Sequence, residues 1–168
     1  MGDHASEIDQ ATYRQVCGHF ATGVTVITAM APGDGRGQPV GMAVNSFTSV
    51  SIDPPLVLFC AGKSSTTWPS IQAAGAFAVN VLAEDQEAVS RAFASKDGDR
   101  FSGIGYRQGT SGSPILNDVL AYIDCTIDAV HDAGDHELVV GRVVDMAVGR
   151  EVGPLLFFRG GYADIAHH

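Results

Sequence analysis

Two hydroxyl-rich segments flank one apolar stretch between Gly41 and Thr67, and a lysine opens the second of them. The first, Asn45-Ser46-Phe47-Thr48-Ser49-Val50-Ser51, supplies an amide and four hydroxyls as short donors and acceptors. The second, Lys63-Ser64-Ser65-Thr66-Thr67, supplies an ammonium and hydroxyl donors suited to a phosphate. Together they suit a flat, phosphorylated cofactor, and flavin mononucleotide has two such ends. Taken on their residue types alone, both segments also have plainer uses. Residues 45–51 serve equally as a strand end and loop whose hydroxyls cap local backbone groups. Residues 63–67 serve equally as a polar loop in which Ser65 or Thr66 caps a short helix through Trp68 and Pro69.

His136 stands between a Gly134-Asp135 turn and an apolar strand, where a histidine is commonly just a satisfied polar residue. Its spacing from His131 fits no zinc pattern, and the chain has no His-Glu-x-x-His or Gly-x-Ser-x-Gly motif, so metal hydrolysis and acyl transfer lose support. Arg100, in Asp99-Arg100-Phe101, reads as either a solvated charge or a site cation. The run Gly33-Asp-Gly-Arg-Gly resembles a dinucleotide loop only superficially. Gln38-Pro39-Val40 follows it and no helix opens there, so a hairpin turn is expected.

The elements that must position these residues are mostly strands. An N-terminal helix is expected over residues 9–20, from a cap-like Asp9 and the spacing of Tyr13, Val16, Cys17 and Phe20. Strands are expected over 24–30, 39–46, 56–61, 77–82, 121–130, 137–146 and 155–158, the fifth with strict alternation, one face buried and the other wet. Asp53-Pro54-Pro55 reads as a rigid turn. Further helices are expected only briefly after Lys63 and over 85–95, with Ala88, Val89, Ala92 and Phe93 as an apolar stripe. Strands that follow one another point to an antiparallel barrel or sandwich.

The chain has 168 residues, 45% hydrophobic and 17% charged, which suits a single domain spanning 1–168 with an ordered core of about 9–165. No apolar run approaches the roughly 20 residues of a membrane helix, and no signal segment opens the chain, so a cytoplasmic protein without a membrane partner is expected. Three spaced cysteines, Cys17, Cys60 and Cys125, indicate buried reduced thiols and no metal site. A formal net charge of −9 without a basic cluster argues against nucleic acid. Anionic cofactors then require locally placed cations. The terminal residues 1–6 and 166–168 read as frayed.

The run Asn45-Ser-Phe-Thr-Ser-Val-Ser-Ile-Asp-Pro-Pro-Leu is similar to the signature of the short-chain flavin reductases. So are, in the family's order, Phe20-Ala-Thr-Gly-Val-Thr-Val-Ile-Thr, Asp99-Arg-Phe, Gly134-Asp-His-Glu-Leu-Val-Val-Gly-Arg-Val and Pro154-Leu-Leu-Phe-Phe-Arg-Gly-Gly-Tyr. The resemblance implies a mainly β, Greek-key split β-barrel (the FMN-binding split barrel) with a few short flanking helices, normally a homodimer. It implies hydride transfer from NADH or NADPH to FMN or FAD, with reduced flavin passed by diffusion to a partner monooxygenase. By it, Asn45, Ser46, Ser49 and Ser51 lie along the flavin ring and ribityl chain, and Phe47 and Val50 give apolar contact. Ala61, Gly62, Lys63, Ser64, Ser65, Thr66 and Thr67 hold the phosphate end, while Arg100 and Phe101 close over the flavin. His136 contacts the nicotinamide and is the catalytic candidate; Arg159, Gly160 and Tyr162 are further substrate contacts. Family members often carry an arginine where this chain has Thr66, which shifts the phosphate load to Lys63 or Arg100. NADH is favoured over NADPH because no arginine pair for a 2′-phosphate is visible. Two alternatives stay open: a flavoprotein that retains its flavin and reduces another small acceptor, and a flavin-binding module without turnover.

Overall fold

The chain enters through α1 (Gln10–Cys17), which starts where Asp9 accepts hydrogen bonds from the amide and the hydroxyl of Thr12, each at 2.8 Å. A computed structural model describes residues 7–33 and 35–165, so the expectations for residues 1–6 and 166–168 lie outside the described residues. No residue of α1 is buried. Tyr13, Val16 and Phe20 are 63%, 66% and 78% exposed, and Cys17 is exposed with them, so that thiol is not a core residue.

Seven strands form one antiparallel sheet: β2 (Thr25–Ala31), β3 (Gln38–Val44), β4 (Thr48–Ser51), β5 (Leu56–Gly62), β6 (Ala76–Val81), β9 (Ala121–Ala133) and β10 (His136–Val148). Their order is β3-β2-β6-β9-β10-β5-β4. The edge strands β3 and β4 are consecutive in the chain and joined by residues 45–47 alone. That link spans no more than about 14 Å. The sheet therefore curls until its edges face each other, giving a barrel split along one seam, the architecture expected. Within that link, the Ser46 hydroxyl accepts the Cys60 amide of β5 at 3.0 Å. It stands where the β4–β5 ladder would continue past the Thr48–Leu58 pair.

Smaller elements close the ends: β1 (Thr22–Gly23), β11 (Leu156–Phe158) and β12 (Gly161–Ala163) form a three-stranded sheet, and β7 (Tyr106–Gln108) pairs with β8 (Pro114–Leu116). Two further helices, α2 (Trp68–Ala74) and α3 (Glu87–Ala94), pack on the barrel. Residues 32–37 join β2 to β3 as a hairpin loop, with Asp34 outside the described residues.

The barrel interior holds Ile27, Phe59, Trp68, Ile71, Phe77, Val79 and Val139, and Phe59 packs edge-on to Phe77 at 5.0 Å and to Trp68 at 6.0 Å. A second cluster, with Val26, Leu82, Phe93, Leu116 and Leu155, lies on the other face of β2. Covered on both faces, β2 is buried almost throughout, which is why its sequence is a β-branched run without alternation.

Other expectations are corrected. Asp124, assigned to the wet face of β9, is fully buried and accepts the Ser111 amide at 2.8 Å and its hydroxyl at 2.5 Å. A carboxylate so satisfied tolerates burial that an unpaired one would not. On α3, Ala88 is exposed while Ser90 and Phe93 are buried, so the inward stripe is partly polar. Residues 48–51, expected as loop, form the edge strand β4. The very short β1, β7, β8 and β12 escape a periodicity reading because two or three residues show no period.

Candidate functional site

Beside the seam, the end of β3, the loop 63–67, the C-terminus of α3 and the loop 95–101 enclose a cavity of about 470 Å³. Its polar wall is Ser64, Ser65, Thr66 and Thr67, and its cations are Lys96 and Arg100. It shares Ala43 and Ala94 with a smaller, mainly apolar cavity of about 230 Å³ walled by Val24, Val44, Asn45, Phe157 and Tyr162. The two make one groove, apolar at the Tyr162 end and cationic at the Arg100 end, within the size range of small-molecule sites. Past Arg100, Thr66 and Thr67 it opens into a further space of about 260 Å³ that reaches Gln38 and Asp99.

Each wall is positioned by local structure. Ser65 Oγ accepts the amides of Thr67 at 3.2 Å and Trp68 at 3.1 Å, so it turns the loop just before α2, whose N-cap is Thr67. Arg100 Nη1 donates to Gly41 O at 2.7 Å and to Thr67 Oγ1 at 2.8 Å, which ties the loop 95–101 to both β3 and the hydroxyl loop. That anchoring holds a guanidinium on the phosphate-sized hydroxyl wall. Gly41 admits this arrangement, since a Cβ there would meet Phe93 at 2.8 Å. Phe101 then packs edge-on to Phe93 at 4.9 Å.

The structure turns Lys63 elsewhere. Its ammonium pairs with Asp132 and donates to Gly134 O at 2.7 Å, while its amide donates to Asp135 O at 2.9 Å. Lys63 thus clamps the β9–β10 turn and does not line the groove. The residue on that turn is His136, opposite Gly62 in the β10–β5 ladder, where a Cβ on Gly62 would lie 3.6 Å from His136 Nε2. Asp135 Oδ1 sits 2.7 Å from His136 Nδ1. The histidine's hydrogen bond and charge hold the Asp135 carboxyl below its usual range. A carboxylate only accepts, so Nδ1 is the donor and Nε2 is the nitrogen facing Gly62 and the groove rim. On α1, the charge of Cys17 and its hydrogen bond, then burial, push the Tyr13 phenol up, with Asp135 and Cys60 adding smaller contributions.

At the apolar end, Tyr162 OH and Ser90 Oγ are 2.9 Å apart, Phe157 lies against the Tyr162 ring at 5.6 Å, and Arg91 covers that ring at 4.8 Å. Of the residues singled out from sequence, the structure brings Asn45, Gly62, Ser64, Ser65, Thr66, Thr67, Arg100, Phe101 and Tyr162 to the groove or its extension, with His136 at the rim. Ser46 is turned to the Cys60 backbone on β5 and Phe47 packs on the barrel core. Ala61 is buried in that core. Ser49, Val50 and Ser51 lie on the edge strand β4 outside these cavities. Arg159 lines a separate cavity.

Met42, Ala43, Ala94 and Lys96 line the groove and were not foreseen. Lys96 carried a signal, its place before the Asp97-Gly98 turn; the small residues carried none. Among the described residues no cluster of metal-ligating side chains occurs, and no helix is long and apolar enough to cross a membrane.

Comparison with known proteins agrees across nearly the whole chain. The pattern of the flavin reductase like domain matches residues 17–166. A flavin reductase of Pseudomonas putida is 51% identical over 161 residues, covering 96% of this chain and 93% of the relative. The crystal structure of nitrilotriacetate monooxygenase component B from Mycobacterium thermoresistibile superposes with a TM-score of 0.89 at 49% identity, over 94% of this chain and 87% of the other. A Streptomyces globisporus NADH:FAD oxidoreductase, in complex with NAD and FAD fragments, gives a TM-score of 0.86 at 37% identity, over 94% and 93%.

Proposed function

Because the chain belongs to the flavin reductase like domain family, and is accordingly an NAD(P)H-dependent flavin reductase that supplies reduced flavin to a monooxygenase component, we propose that this reaction takes place in the groove beside the seam. One observation carries the assignment of the site: a single cleft joins an anion-binding end, Arg100 with Ser64, Thr66 and Thr67, to an apolar slot between Val44 and Tyr162. A flavin phosphate and isoalloxazine ring fit that polarity, and the opening past Arg100 leaves room for the adenylate half of FAD. The flavin supplies the electron-accepting chemistry.

The protein's own residues bind, orient and exclude water. Arg100 would neutralise the phosphate and, being itself held by Gly41 O and Thr67 Oγ1, would fix where that end of the flavin sits. Asn45 and the loop hydroxyls supply hydrogen bonds at the ring edge and polyol chain. Apolar walls keep the reacting faces dry. His136, oriented by Asp135, presents Nε2 at the rim, where it would hold the nicotinamide by a hydrogen bond. No side chain acts as nucleophile, which suits a site made of Ser, Thr and Asn. The outward face of β10, where Val144, Met146 and Val148 stand 44%, 58% and 75% exposed, is covered in this reading by a second copy of the chain.

The test mixes purified protein with NADH and either FMN or FAD under anaerobic conditions and follows the loss of reduced nicotinamide absorbance. Oxidation that depends on added flavin is expected. Flavin that stays bound through dialysis, with turnover only toward another acceptor, would overturn the diffusible-flavin reading.

A further inference from the structure

Where the end of α1 meets the β11–β12 hairpin lies a cavity of about 370 Å³ lined by Arg14, Gln15, His19 and Arg159. The chain has 19 acidic residues against 10 lysines and arginines, so carboxylates are abundant partners. Yet among the described residues neither Arg14 nor Arg159 forms an ion pair. Arg159 rests instead over the Phe158 ring at 4.9 Å. His19 Nδ1 donates to Gln15 O at 2.7 Å, which leaves Nε2 as its outward nitrogen.

The backbone makes the placement of Arg159 more pointed. Arg159 and Gly160 have φ of 50° and 78°, so the hairpin turn is of the mirror-image type whose first central position suits glycine, asparagine or aspartate. An arginine holds that position here, with its amide donating to Gly18 O at 2.8 Å. Strain at a residue that packing over-determines is a signature of sites. The same hairpin carries Phe157 and Tyr162, cross-strand partners that wall the apolar end of the groove. Arg159 follows Phe157 by two residue steps, about 7 Å along the chain.

We infer that Arg14, His19 and Arg159 bind a phosphate of the nicotinamide dinucleotide while its ring lies in the groove. The claim rests on the reading of the groove given above. It assigns the basic pocket to the hydride donor and leaves the flavin phosphate to Arg100. Two guanidiniums brought together from opposite ends of the chain supply the arginine pair that no local motif displays. The shared chemistry is a phosphate dianion or diester, either the pyrophosphate of both donors or the 2′-phosphate of NADPH alone.

The variants Arg159→Asn and Arg14→Ala/Arg159→Asn separate recognition from architecture, since asparagine suits the turn better than arginine does. The thermal midpoint should hold or rise in R159N. The KM for NADH should rise about tenfold in R159N and further in the double variant, with kcat at saturating donor and the flavin Kd by fluorescence titration unchanged. Inorganic pyrophosphate should compete with NADH in the wild type and not in the double variant. A KM increase confined to NADPH would support the site and assign it to the 2′-phosphate; an equal increase with both donors would assign the pyrophosphate. Unchanged KM for both donors in the double variant would overturn the inference while leaving the reductase reading in place. Only a wild-type protein inert with every donor and flavin would remove that reading.

Discussion

At the residue scale, Arg100 has the most consequential position, because one guanidinium nitrogen bonds both Gly41 O and Thr67 Oγ1 and so sets the distance between two groove walls. Arg100→Gln should weaken flavin binding about 10- to 100-fold in a fluorescence titration, the loss expected for a charged hydrogen bond to phosphate. An unchanged Kd would take the phosphate end away from this loop. The cysteines make a second prediction. Burial, with Asp124 nearby, pushes the Cys125 thiol up to about 12, so it stays protonated and inert at neutral pH, whereas Cys17 is exposed. Maleimide should therefore label Cys17 rapidly in the native protein and Cys125 only after denaturation, as read by mass spectrometry. Much of the groove was visible in the sequence because hydroxyls and a basic-aromatic pair are chemically conspicuous. What escaped notice was direction. Lys63 is as suited to a phosphate as Arg100 by type, and only the β9–β10 turn, with Asp132 and Gly134 O waiting for it, draws its ammonium away.

At the element scale, the long strands were legible and their exact partnering was not. Alternation in β9 located the strand, but Asp124 broke the rule of a wet face, because loop 109–113 folds over it and no local pattern announces such a lid. The edge strand β4 read as loop since its Thr and Ser residues serve both uses. The β9–β10 pair shows what geometry adds. A register shift falls between Val140 and Gly141, and a Cβ on Gly141 would lie 2.5 Å from Phe77 Cζ and 3.0 Å from Cys125 Cβ. Gly141→Ala should destabilise the protein by about 1–3 kcal/mol, the cost of overpacking a core, with flavin affinity retained. Chemical denaturation measures the first and titration the second; full stability would mean that the bulge absorbs the methyl group.

For the whole molecule, among the described residues, Tyr13 and Val16 of α1 with Phe20 just after it, and the Val144, Met146 and Val148 row on β10, are apolar groups left exposed within one chain. A homodimer is the expected state in sedimentation velocity, and Met146→Lys with Val148→Lys should shift it toward monomer; a monomeric wild type would count against the proposed pairing. The split in the barrel carries a different kind of consequence. Its two edges are joined by residues 45–47, which the Ser46–Cys60 bond ties to β5, while the cofactor is proposed to lie alongside. A ligand there acts as a keystone. Amide protons of β3 and of the link 45–47 should exchange with solvent fastest in the empty protein and slow most on loading, and proteases should find the same stretch first. Cells short of riboflavin would then hold a more perishable enzyme, so vitamin supply would set how long the protein lasts as well as how fast it works.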